Sequence, residues 1–245
     1  YANAKNLANT ALAQLAEARA QMERASQLEP GIDLSQVADA ITQLVRGKQG
    51  NYLAFFPSYA YLKMVHDVFC DVFPEIPTIV QARDMDEAAR DAFLEHFVRD
   101  NPQTLVGFVV MGGIFGEGID LVGRRLSGAA IVGVGLPGIC MERDLIRDHF
   151  ETTRQAGFDF AYRYPGFNRV LQAVGRVIRS ARDRGAVLLV DNRFSTHRYR
   201  SLYPEEWQPV SPWPDNPVAH ILEDFWSGAS ILDGGILSNQ KETTP

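Results

Sequence analysis

The sequence predicts an α/β fold of three layers, a mainly parallel central sheet flanked by helices, with an N-terminal helical segment added. From Asn51 onward short apolar runs alternate with amphipathic stretches of helical length, the order expected when crossover helices join the strands of one sheet. Two of the runs, Val106-Gly107-Phe108-Val109-Val110 and Val187-Leu188-Leu189-Val190, do not alternate in polarity, which fits strands covered on both faces. A hydrophobic content of 46% over 245 residues is enough to bury a full core.

Taken in order, residues 3 to 28 are rich in Ala, Leu, Gln and Glu, and Leu7, Leu12, Leu15 and Met22 form one helical stripe. Pro30-Gly31 interrupts that helix. Asp33 or Ser35 can cap the next one, whose apolar face is Ile41, Leu44 and Val45 and which Gly50 stops. Strands are then expected at Tyr52 to Phe56, Thr78 to Gln81, Val106 to Met111, Ala129 to Val134 and Val187 to Val190. The amphipathic segments between them give helices over 59 to 72, 86 to 99, 141 to 155 and 168 to 182. A closing helix is expected from Pro217 to Trp226, followed by a loose polar tail. The resulting division is a helical segment at 1–48, the α/β domain at 49–210 and a C-terminal helix and tail at 211–245.

A formal charge of -6 argues against binding through a wholesale basic surface, while leaving room for a local basic track. Two cysteines, Cys70 and Cys140, are too few for a disulfide framework, a four-cysteine zinc site or a four-cysteine iron–sulfur cluster, and no metal is expected. No apolar run approaches membrane-spanning length, so no membrane partner is expected and the localisation is read as cytoplasmic.

Three segments carry chemistry. In Gln172-Ala173-Val174-Gly175-Arg176-Val177-Ile178-Arg179, helical spacing places Gln172, Arg176 and Arg179 on one face, and Gly175 permits a close neighbour. Two guanidiniums and an amide in a row suit a phosphate; a solvated, ion-paired helix is the plain reading of the same pattern. In the second segment, Gly112-Gly113-Ile114-Phe115-Gly116-Glu117-Gly118-Ile119-Asp120 follows a strand directly. Its glycines let the backbone approach a ligand, and Glu117 and Asp120 add acceptors. Third, Asn51 to Tyr61 runs a strand into a helix whose N-cap is Ser58.

These residues resemble motifs VI, V and IV of superfamily 2 helicases. Gln172 to Phe194, with Asp183 and Gly185 after the arginines and Asp191 beside Arg193-Phe194, is similar to the XPD/DinG form. Gly123-Arg124-Arg125-Leu126, Leu136-Pro137 and Arg143 to Phe150 follow the same order. The resemblance implies a RecA-like C-terminal motor domain of an ATP-dependent DNA helicase. It makes Arg179 an arginine finger supported by Arg176 and Gln172, and places Glu117, Gly118, Asp120 and Gly175 at ATP. Ser58, Tyr59, Gly112 and Gly113 would meet single-stranded DNA, through a helix N-terminus and a bared backbone.

No Gly-x-x-x-x-Gly-Lys-Ser/Thr loop occurs, and Gly47-Lys48 is followed by Gln49. The expectation is that ATP and Mg2+ are held mainly by a first, N-terminal motor domain of the same protein, and that this chain alone does not hydrolyse ATP. Rival readings keep the fold as a nucleotide-independent nucleic-acid-binding or scaffold module, or read Gly133-Val134-Gly135-Leu136-Pro137-Gly138 as a dinucleotide-binding loop. Against the latter, Phe158 to Arg163 leads into Tyr164-Pro165-Gly166 where an apolar strand ending in an acid is needed. Asp86-Glu87-Ala88-Ala89 looks like a Walker B carboxylate pair but opens a helix, where first-turn acids are favoured by the helix dipole. The five histidines show no metal-ligand spacing with the cysteines.

Overall fold

The computed structural model describes residues 33–115, 121, 125–178, 184–212, 217–228, 231–232 and 236–237. The helix expected over residues 3 to 28, the polar tail beyond 237, and Glu117, Gly118, Asp120 and Arg179 lie outside the described residues.

Strand β1 (Asn51–Phe56) is buried along its whole length and is the middle of the sheet. It pairs in parallel with β3 (Leu105–Val110) on one side, Tyr52 opposite Val106, and with β4 (Gly128–Val132) on the other, Leu53 opposite Ala129. Outside these lie β2 (Thr78–Val80), parallel to β3, and β5 (Ala186–Val190), parallel to β4. The five-stranded order is therefore β2-β3-β1-β4-β5. All five strands fall where the apolar runs placed them.

Side chains along β1 divide between two cores, as the strand period of two requires. Tyr52, Ala54 and Phe56 join α1 (Leu34–Arg46), α2 (Tyr59–Val72) and α7 (Val218–Ser227), through Val37, Ile41, Leu62, Val65, Phe69 and Leu222. Leu53 and Phe55 face the other way, towards α3 (Glu87–Glu95) and α5 (Tyr164–Val174), with Phe93, Phe97, Phe115, Phe167 and Val170. Helix α4 (Met141–Arg154) lies outside both cores and buries no residue of its own; it ends at Gln155 with φ 53°.

Two helices depart from the periodicity. Helix α3 stops at Glu95 instead of running to 99, and Arg125 donates from Nε to the Phe97 carbonyl and from a terminal nitrogen to the Leu94 carbonyl, both at 2.9 Å. A guanidinium thus closes the helix end that a further turn would otherwise have satisfied. Helix α5 starts earlier than 168, because a π-helical turn at Asp159–Arg163 runs straight into it and Pro165 is tolerated in its first turn. It also ends at Val174 instead of 182. Gly175 caps it, and the chain tightens through bonds from Arg176 N to Ala173 O (3.1 Å) and Val177 N to Val174 O (2.9 Å).

After β5 the chain makes a 3-10 turn, Asn192–Ser195, and a short helix α6 (His197–Arg200). Within the segment expected to be a loose tail, β6 (Ile231–Leu232) and β7 (Ile236–Leu237) form an antiparallel pair.

Candidate nucleic-acid interface and arginine turn

The C-terminal edge of the sheet gathers the loops after β1, β2, β3 and β4. Ser58 acts as the cap that the sequence suggests: its Oγ accepts from Tyr61 N at 3.2 Å, satisfying one orphan donor of α2. Tyr59 is held from outside its own helix. The Gln81 amide donates to the Tyr59 hydroxyl at 2.7 Å, and the Gln81 carbonyl accepts from Val110 N at 2.8 Å. Gln81 is 4% exposed, so both ends of its amide are satisfied in the interior. Burial raises the Tyr59 pKa, Asp84 adding to this and Arg83 and the Gln81 bond opposing it, so the hydroxyl stays protonated at neutral pH. The Arg83 guanidinium lies over the Tyr59 ring, 5.3 Å from its centroid. An open cleft of about 450 Å³ runs alongside, lined by Tyr59, Lys63, His66, Gln81 and Arg83 among others. Sequence reasoning assigned nothing to Gln81; a polar residue closing an otherwise apolar strand was the available signal.

Gly112 and Gly113 leave β3 beside these groups, and the structure separates them. Gly112 has φ +68°, and a Cβ there would lie 2.8 Å from Arg169 Nε. It is a glycine for two structural reasons, backbone and space. A Cβ on Gly113 would meet nothing closer than the Val110 carbonyl at 3.5 Å, so packing does not require a glycine at that position. Gly112, Gly113, Ile114 and Arg90 line a second open cleft of about 470 Å³.

The glycine-rich loop after β4 has a packing explanation. Gly133 (φ +83°) and Gly135 (φ +68°) turn the chain, and a Cβ on Gly135 would lie 2.7 Å from the Gly166 carbonyl. Gly166 approaches equally closely, its Cβ position being 2.9 Å from the Val134 carbonyl. Backbone therefore meets backbone where α5 begins. After α4, where the second strand of a dinucleotide-binding unit is needed, the chain is π-helical at Asp159–Arg163, so that unit is not built.

The arginine segment sits elsewhere. Gln172 is exposed in the last turn of α5, Gly175 is its cap and Arg176 is half-buried in the tightened turn beyond. Because α5 ends at Val174, the single helical face expected for Gln172, Arg176 and Arg179 is not a regular helix throughout. Next to Arg176, Val177 packs on Gly185, where a Cβ would overlap the Val177 Cγ1 methyl and approach the Ser127 carbonyl at 3.2 Å. Gly185 and Ser127 precede β5 and β4, so the arginine turn lies at the N-terminal edge of the sheet. It is therefore separated from the loops that follow β1, β2, β3 and β4. A helix returning from β4 must end at the edge opposite the one where it began.

Beyond β5, Asp191 takes both Arg193 Nε at 2.8 Å and a terminal Arg193 nitrogen at 2.6 Å, and it also accepts from Arg193 N. The fork is bidentate, and its carboxylate side chain is 4% exposed. Among the described residues no group of three or more His, Cys, Asp or Glu side chains could hold a metal ion. Among the same residues no helix is long and apolar enough to cross a membrane.

A five-stranded all-parallel sheet in this order, covered by helices on both faces, is a three-layer RecA-like α/β domain. Residues 41–210 match the family model described as Helicase C-terminal domain. The chain belongs to that family, as a C-terminal helicase domain of the XPD/DinG type of superfamily 2. Curated relatives include the regulator of telomere elongation helicase 1 homolog of Drosophila persimilis, 29% identical over 224 residues covering 80% of this chain and 21% of the relative. The Aedes aegypti homolog is 29% identical over 167 residues, 62% of this chain and 16% of the relative. This chain thus spans about a fifth of the curated relatives it matches. A solved apo structure of XPD shares the fold with a TM-score of 0.56 and 22% identity, covering 69% of this chain and 33% of that one. A second XPD helicase structure gives 0.51 and 22%, covering 70% and 30%.

Proposed function

We propose that this domain supplies the arginine finger and part of the single-stranded DNA track of an ATP-dependent DNA helicase, whose ATP site is completed by a first motor domain of the same protein. The observation that carries this reading is the course of α5. It starts against the C-terminal-edge loops and ends in the turn bearing Gln172, Gly175 and Arg176 at the opposite edge.

The donor chemistry fits an anionic nucleotide. Guanidinium and amide groups bind phosphate oxygens, whereas the described residues offer no carboxylate cluster for a cation. ATP with magnesium supplies the phosphoryl group that is transferred and the free energy for stepping. Arg179 serves as the finger on the γ-phosphate; Arg176 and Gln172 support it, and Gly175 lets the turn approach. Glu117, Gly118 and Asp120 contribute acceptors and bared backbone to the same pocket. On the other edge Ser58, Tyr59, Gly112 and Gly113 hold the DNA backbone through a helix N-terminus and exposed amides. Magnesium and most of the triphosphate are held by the first motor domain, and this chain alone does not turn over ATP.

The test is Arg179→Ala in the full-length protein. Loss of an arginine finger lowers phosphoryl transfer by about 10³-fold or more. DNA-stimulated ATP hydrolysis within a few-fold of wild type would overturn the assignment.

A further inference from the structure

We propose that Arg169 is a positioning residue that couples the DNA-facing glycine loop to the arginine turn, so that DNA binding regulates ATP turnover through it. The proposal rests on the functional reading above and concerns communication between its two edges.

Arg169 lies on α5 and reaches two loops at once. Its guanidinium is packed where a Cβ of Gly112 would stand, with Nε 2.8 Å and Cζ 3.2 Å from that position. A terminal nitrogen of the same group donates to the Gly135 carbonyl at 3.3 Å. Both glycines have φ +68°, a backbone conformation that ordinary residues seldom adopt. A planar cation is therefore laid between two turns whose shape leaves room for it, one after β3 and one after β4. The Gly112 turn belongs to the proposed DNA track. The Gly135 turn touches the Gly166 backbone at the start of α5.

The same helix carries the nucleotide-sensing end. From Arg169 to the helix end at Val174 the rise of about 1.5 Å per residue amounts to roughly 7.5 Å along the axis, and Arg176 follows in the tightened turn beyond. The inner face of α5 between them, Val170, Ala173 and Val174, is buried in the core, as is Val177 just beyond. A helix seated in this way moves as a unit. When a DNA phosphate draws on the backbone of Gly112 and Gly113, the displaced turn presses on the Arg169 guanidinium and α5 shifts with it. The arginine turn at the far end then moves relative to the nucleotide. No charge transfer or bond change is needed, only a contact shared by both sites.

The experiment uses the full-length helicase with a single-stranded oligonucleotide. Three quantities are read: ATP turnover without DNA, its stimulation by saturating DNA, and the change in DNA affinity caused by a non-hydrolysable ATP analogue. Arg169→Ala is expected to leave DNA-free turnover within about twofold of wild type, while stimulation falls by about five-fold or more, the scale of typical site coupling. By reciprocity, the analogue's effect on DNA affinity shrinks by a similar factor, which a residue serving stability alone would not cause. Arg169→Lys, which keeps the charge and stem, restores part of the stimulation. If Arg169→Ala does not fold, Arg169→Gln is read in the same assay with the same expectation. Wild-type stimulation in whichever variant folds overturns the coupling. Arg179→Ala is run in parallel: if it abolishes turnover while Arg169→Ala keeps full stimulation, only the coupling fails. If Arg179→Ala retains turnover, the functional reading itself fails.

Discussion

Gln81 donates its side-chain amide to the hydroxyl of Tyr59 at 2.7 Å, joining the end of β2 to the first turn of α2 beside the open cleft that both residues line. The same side chain accepts from Val110 N. Gln81→Leu would leave the Val110 N–H without its partner and release the ring. A loss of about 1–3 kcal/mol in stability is expected, read as a lower urea midpoint at unchanged slope. A variant as stable as wild type would show that the bridge is dispensable.

Neighbouring glycines should respond differently to the same substitution. At Gly112, alanine meets both a positive φ and the Arg169 side chain, so a loss of more than about 1 kcal/mol in thermal stability is expected. At Gly113 an added methyl has only ordinary contacts, and Gly113→Ala should stay within about 0.5 kcal/mol of wild type. If DNA approaches the bare backbone at that position, Gly113→Ala lowers single-strand affinity in a fluorescence titration without a stability defect. Equal stability losses for the two variants would contradict the geometry.

Gly185 and Val177 are a tight pair, because any side chain at 185 would overlap the Val177 methyl. Gly185→Ala is expected to destabilise by about 1–3 kcal/mol through overpacking. Trimming the neighbour with Val177→Ala should recover part of that loss, giving a favourable interaction energy in a double-mutant cycle. Strict additivity of the two changes would argue that the contact is not made.

His66 provides a pH-dependent test. Burial lowers its pKa below the ordinary 6.5, Lys63 adding to this and Asp67 opposing it. Its Nε2 lies 3.0 Å from Thr78 Oγ1 and 3.3 Å from Cys70 Sγ. With the folded value depressed, the unfolded chain takes up the proton first. The contribution to stability is therefore complete above the unfolded pKa of 6.5 and declines as pH falls below it towards the lower folded value. His66→Gln should flatten the stability profile over that window in chemical denaturation. Parallel slopes for the two proteins would show that His66 does not carry the effect.

Much of the fold was legible because it depends on local periodicity. Runs such as Val106 to Val110 carry their two-sided burial in composition, and Ser58 announces the start of α2 at the residue where it begins. The limits of α3 and α5 were not legible. Arg125 closes α3 from a segment distant in sequence, and a π-helical turn at Asp159–Arg163 starts α5 early, neither of which an apolar stripe reports. The candidate site divides in the same way. Ser58, Gln172 and Arg176 were proposed from residue type and spacing, whereas Gln81 and Arg169 are singled out by partners that no local window contains.

By itself the sequence determined the α/β class, the order of strands and helices, and the motifs that mark the chain as a helicase C-terminal domain, because side-chain period and turn chemistry are properties of neighbouring residues. Only the tertiary structure decided that Gly112 and Gly113 stand at the edge of the sheet opposite the arginine turn, and that Gly112 combines a positive φ with close packing against Arg169. Those relations follow from how crossovers return across the sheet and which side chains then compete for one space, and such distances exist only once the layers have packed.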